Sequence, residues 1–105
     1  MVGRFTSLLK KGIDMKLESG QLVATSGVSE WMSEDFDAAV FVNVSLQRHL
    51  NGDWGDIDED DKILNDAAAR HGHRVLSQYK SWDKTVLIVT EYDRSVTTVL
   101  FPEEY

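Results

Sequence analysis

The hydrophobic period of this chain changes at Gly72, and that switch restricts the possible folds more than any other feature. Upstream of it, apolar residues recur every three or four positions. Over 34–50, Phe36, Ala39, Val40, Asn43, Leu46 and Leu50 keep this spacing, and Phe41, Val42 and Val44 widen the stripe beyond the usual arc of a surface helix. The pattern predicts the helix most buried on the sheet, ended by Gly52 and Gly55. Asp58 is a good N-cap for a second helix running to about His71, with Ile63, Leu64, Ala67 and Ala68 as its inner face and Gly72 as its stop. Downstream the period is two. Three β-rich runs, 73–80, 85–91 and 95–101, are separated by Ser81-Trp82-Asp83-Lys84 and by Tyr92-Asp93-Arg94. Connections this short imply an antiparallel meander. The middle run is apolar on both sides and is expected at the centre, while Pro102 stops the last.

Ahead of the long helix, 21–26 lies between Gly20 and Gly27 and reads as a short strand, and 28–32 as a loop whose Trp31 covers the core edge. Ser33 is the expected helix cap, with Glu34, Asp35 and Asp37 favourably placed in the first turn. The expected fold is a single α+β domain over 15–105. Its antiparallel sheet has the C-terminal three-strand meander plus one N-terminal strand, with two helices packed on one face. The place of the first strand in the sheet is left open. Residues 1–14 read as an extension, either a short amphipathic helix carrying Phe5, Leu8, Leu9 and Ile13 or a disordered leader, with Met15 an alternative start.

The chain has no cysteine. That excludes a disulfide framework, a thiolate zinc site and a cysteine nucleophile, and suits a reducing cytoplasm. Apolar runs near the N-terminus break after two or three residues, so neither a signal peptide nor a membrane span is expected. The net charge is −7. Arg4, Lys10, Lys11 and Lys16 against Asp14 give the first 16 residues +3, which leaves the rest at −10. A body of that sign repels nucleic acid and attracts basic protein surfaces.

The densest chemistry lies between the two helices. Asp53, Asp56, Asp58, Glu59, Asp60 and Asp61 place six carboxylates within nine residues with no cation among them. They read either as a solvated loop and helix start or as a surface imitating a run of phosphates. A calcium loop of the EF-hand type needs glycine at its sixth position and a bidentate glutamate at its twelfth. Counted from Asp56, those positions hold Asp61 and Ala67, so the pattern fails. Trp54, between two glycines, plugs the core beneath the turn or, alternatively, anchors a partner. His49, His71 and His73 form no recognised metal spacing, and His71 near a helix C-terminus is explained by the dipole. At the last hairpin, turn chemistry accounts for Asp93 and cross-strand pairing for Glu91 with Arg94.

Taken together, Arg48-His49-Leu50, Gly52-Asp53-Trp54-Gly55-Asp56 and Thr90-Glu91-Tyr92-Asp93-Arg94-Ser95, continuing through Thr97-Thr98 to Leu100-Phe101-Pro102, resemble a family of small plasmid-related bacterial proteins. The resemblance covers roughly 15–105. That family has no established activity, so the resemblance implies a home on plasmids, phages and integrated mobile elements and transfers no catalytic residue.

The sequence thus predicts a binding protein without cofactor or metal, and not an enzyme. Its expected partner is a basic, nucleic-acid-handling host protein, such as a CRISPR or restriction nuclease, which it inhibits through Asp53, Trp54, Asp56, Asp58, Glu59, Asp60 and Asp61. The alternatives are a structural or regulatory module of a mobile element and a small hydrolase or nucleotide-binding protein. The last would be favoured by a deep pocket lined jointly by His49, Asp53, Asp93 and Arg94, or by a metal held by two of the histidines.

Overall fold

Alternation after Gly72 builds three consecutive strands in the computed structural model, which describes residues 17–105. The elements in order are β1 (Gln21–Ala24), α1 (Ser26–Glu34), α2 (Phe36–Leu50), α3 (Glu59–His71), β2 (Val75–Lys80), β3 (Thr85–Thr90), β4 (Val96–Leu100) and a 3-10 turn over Pro102–Glu104. They form an α+β fold around one four-stranded sheet of order β1-β4-β3-β2. As expected, β3 is an inner strand, antiparallel to both neighbours. The sheet is mixed, however, not wholly antiparallel. β1 pairs in parallel with β4, Gln21 opposite Val96 and Ala24 opposite Val99. The meander leaves one edge of β4 open, and β1 enters beside it from the same end, because its link to β4 is the whole intervening chain and no hairpin constrains its direction.

A third helix accompanies the two expected. The stretch 28–32 is not a loop: α1 begins at the Thr25 cap, whose hydroxyl accepts from the Val28 amide, and buries Val28. Trp31 does cover the core edge, packing against Phe41 and Phe101 at ring distances of 6.2 and 5.7 Å. The cap of α2 is Asp35 in place of Ser33, since its carboxylate accepts from Asp37 and Ala38. α2 presents Ala38, Val42, Leu46, His49 and Leu50 to the sheet. Phe36, Val40 and Val44, expected inside, lie in solvent.

The main core joins α1 and α2 to one sheet face through Val28, Val42, Leu46, Tyr79, Val86, Ile88 and Val99. A second cluster of Leu17, Leu50, Trp54 and Val75 takes in Ala68 and Ala69 of α3. α3 starts and stops as anticipated, at the Asp58 cap and at Gly72 in left-handed conformation, φ +74°. Its inner side differs from expectation. Asn65, Ala68 and Ala69 face inward, while Ile63 and Leu64 are each 65% exposed. The inner side must lie flat against Trp54 and the β2 edge, and alanines permit that approach where leucine would not. Leu76, Leu87, Val89 and Leu100 make a smaller cluster on the other sheet face. The extension expected over 1–14 lies outside the described residues. No helix among those described is long and apolar enough to cross a membrane.

Candidate interaction site

The segment after α2 closes the outer edge of the sheet. Asn51 caps α2, and Gly52 reverses the chain at φ +83°. The chain then runs beside β2. Gly55 forms an isolated parallel bridge with Gln78, the Asp56 amide donates to the Gln78 carbonyl at 2.6 Å, and the Gln78 amide donates to the Trp54 carbonyl at 3.3 Å. The Lys80 amide donates to the Asp56 carboxylate at 2.9 Å, and the Asn65 side chain donates to the Leu76 carbonyl at 2.7 Å. Unpaired strand edges invite pairing with other chains, and these bonds occupy β2's.

The six carboxylates have distinct settings. Asp53 is gripped by Arg48 through two hydrogen bonds of 2.7 and 3.1 Å, and that donation holds its carboxyl below the usual range and the guanidinium above its own. Arg48 also lies over the Tyr79 ring, whose hydroxyl donates to the Asp53 carbonyl. Asp56 serves the β2 edge, Asp58 caps α3 by accepting from the Asp61 amide, and Glu59 pairs with Lys62 at 3.3 Å. Asp60 and Asp61 point into solvent, and no cation pairs with them among the described residues. Trp54 belongs to the interior: it is 3% exposed, and its indole donates to Asp66 at 2.9 Å. It is therefore no surface anchor, and the acidic face consists of carboxylates without an aromatic at its centre.

His49, adjacent in sequence to this segment, is fully buried. It sits in a chain of hydroxyls in which every proton can be assigned. Thr97 donates to the Ser19 carbonyl at 2.7 Å, because a carbonyl can only accept. Thr97 must then accept from Thr90 (2.7 Å), Thr90 from His49 Nε2 (2.8 Å), and His49 Nδ1 from Ser77 (2.7 Å). His49 is thus the neutral Nε2–H tautomer, with the Trp54 ring edge-on at 5.7 Å. Burial, assisted by the charge of Arg94, pushes its pKa down to about 3. In the unfolded chain it protonates near 6.5. Between these values the unfolded state binds more protons, so this contribution to stability is complete above the unfolded value and is lost as pH falls towards the folded one. Between pH 7.5 and 5 the loss is expected to be about 2 kcal/mol. Urea melts across that range check it, because His49→Leu should flatten the profile even though it lowers stability throughout.

The remaining candidates do not converge with His49. Asp93 closes the hairpin turn by accepting from the Ser95 amide, and hydrogen bonding to Ser95 lowers its pKa. Arg94, at φ +60°, donates to the carbonyls of Ala68, Ala69, His73 and Glu91 and so satisfies the C-terminal end of α3. The expected Glu91–Arg94 side-chain pair is absent. The Glu91 carboxylate meets Arg74 instead, at 3.4 Å. Among the described residues no group of three or more His, Asp or Glu side chains is placed to hold a metal. No protein-family model matches the chain, and neither a curated protein nor a solved structure does.

Sequence reasoning missed the His49 network and the α3-capping role of Arg94. The first left a trace: Ser77, Thr90 and Thr97 occupy alternating positions that otherwise hold Val75, Tyr79, Ile88 and Val99, so small polar residues interrupt an inward-facing register.

Proposed function

We propose that this protein is an acidic accessory protein of a mobile element that works in the cytoplasm by binding a basic, nucleic-acid-handling host protein, such as a defence nuclease, and obstructing its nucleic-acid groove. The observation that carries the reading is the exposed carboxylate array at the start of α3, in which Asp60 and Asp61, beside Asp58 and Glu59, meet no cation among the described residues. A Lys- or Arg-lined groove built for phosphates accepts such an array in the same way. Each exposed pair is worth only about 0–1 kcal/mol, so binding comes from many pairs acting together and from steering by a body at −10.

The test is recovery of partners from host lysate at low and high salt, with Asp60→Lys and Asp61→Lys introduced together. Those two positions are chosen because Asp53, Asp56 and Asp58 serve the fold. The wild-type chain should retain nucleic-acid-handling proteins at low salt and lose them at high salt, and the variant should bind at least about tenfold more weakly. Unchanged, salt-insensitive recovery by the variant would exclude the acidic face. Recovery of no nucleic-acid-handling protein would favour a structural role in which acidity serves solubility alone.

A further inference from the structure

The acidic array borders an apolar groove. Ile57 in the loop, Leu64 and Asn65 of α3 and Leu76 of β2 line a cavity of about 280 Å³, with Asp61 in its wall. Asn65 already spends its amide on the Leu76 carbonyl. The lining therefore offers aliphatic surface plus one carboxylate, and no cation. Leu64, although 65% exposed, contributes to this groove, whereas the equally exposed Ile63 does not. The volume falls just below the roughly 300–1,000 Å³ of small-molecule sites and suits a single long side chain.

Lysine and arginine match this combination, since their aliphatic stems bury against apolar surface while their heads stay with water or an anion. Resting on the reading above, we propose that the groove receives a lysine or arginine side chain from an amphipathic basic segment of the partner protein. The stem lies against Ile57, Leu64 and Leu76, and the charged head meets Asp61. Charge complementarity selects this occupant: Asp58, Glu59, Asp60 and Asp61 occupy the cap and first turn beside the groove, and the only cation of that turn, Lys62, is already paired to Glu59. Binding would then discriminate among basic surfaces, favouring segments in which cations alternate with apolar residues over segments that are merely cationic.

Two synthetic probes separate these properties: an amphipathic Lys/Leu peptide and an oligolysine of equal charge, each titrated into the isotope-labelled full chain and followed by methyl NMR. The amphipathic peptide should bind about tenfold tighter and shift the methyls of Ile57, Leu64 and Leu76. Leu64→Ser should weaken it about five- to tenfold and Asp61→Asn about two- to fivefold, while Ile63→Ser changes affinity less than about twofold. Equal losses from Ile63→Ser and Leu64→Ser would overturn the groove in favour of diffuse apolar contact. Equal affinity for both probes, with Leu64→Ser silent, would overturn it while leaving the acidic-face reading standing. Failure of both probes to respond to Asp60→Asn and Asp61→Asn would overturn both. Shifts of the same methyls on Lys10→Glu and Lys11→Glu without added peptide would assign the groove to the chain's own first residues and end the partner proposal.

Discussion

Replacement of His49 by leucine is expected to remove about 2–4 kcal/mol of stability, a large share of the roughly 5–15 kcal/mol typical of a domain. Leucine is close enough in bulk that little of this loss comes from a cavity. The cost arises because the Ser77 hydroxyl, in a residue with no solvent exposure, loses its acceptor, worth about 1–3 kcal/mol, and because the equally buried Thr90 hydroxyl loses the donation from Nε2 while still donating to Thr97, worth about 0.5–1.5 kcal/mol. Thr97 still has Thr90 and the Ser19 carbonyl, so the damage stops there. The triple variant His49→Leu, Ser77→Ala, Thr90→Val should recover most of the loss by removing the polar groups along with their partner. Chemical denaturation of the three proteins decides the matter, and a loss below about 1 kcal/mol for the single variant would mean that the network rearranges freely.

Gly55→Ala is expected to cost about 3 kcal/mol or more, measured in the same way. Gly55 stands at φ +78°, and a Cβ there would lie 2.1 Å from the Gln78 carbonyl oxygen and 2.6 Å from the Tyr79 ring. The conformation alone would cost about 1–2 kcal/mol, and the clash with backbone has no flexible atom to yield. Gly72→Ala is the control. It has nearly the same φ, +74°, but nothing within 4 Å of the added carbon, so only the conformational part, about 1–2 kcal/mol, should appear. The Gly55 variant should also associate more readily near its transition, because lifting the loop uncovers the β2 edge.

The elements most legible in the sequence were those whose signals are local. Gly72 ended a helix because glycine tolerates the left-handed conformation, Asp58 began one, and the two-sided apolar run over Thr85–Thr90 became an inner strand. What stayed hidden depended on tertiary placement. The direction of β1 follows from pairing with β4, some seventy residues later. α1 was masked by Gly27, Ser29 and Ser33, residues that favour loops unless a core is waiting for Val28. Which side of α3 faces inward was decided by flatness against Trp54, and hydrophobicity ranking wrongly favoured Ile63 and Leu64 over Asn65 and Ala69. At the candidate site, the carboxylates were countable from the sequence. Their division into those that fasten the fold and those with free charge was visible only once Arg48, Lys62 and Lys80 had positions.

The bridge between Gly55 and Gln78 makes the acidic segment part of the sheet's perimeter, unlike a loop tethered only at its ends. The backbone of this stretch therefore holds one course before any encounter, and the Asp53 and Asp56 carboxylates are themselves fastened, to Arg48 and to the Lys80 amide. A partner of the proposed kind need not supply the free energy of ordering that backbone, a cost of about 1–2 kcal/mol for each mobile residue fixed. Slackening that fastening without altering a single charge should leave electrostatically steered arrival rates nearly constant and shorten the lifetime of the proposed complex.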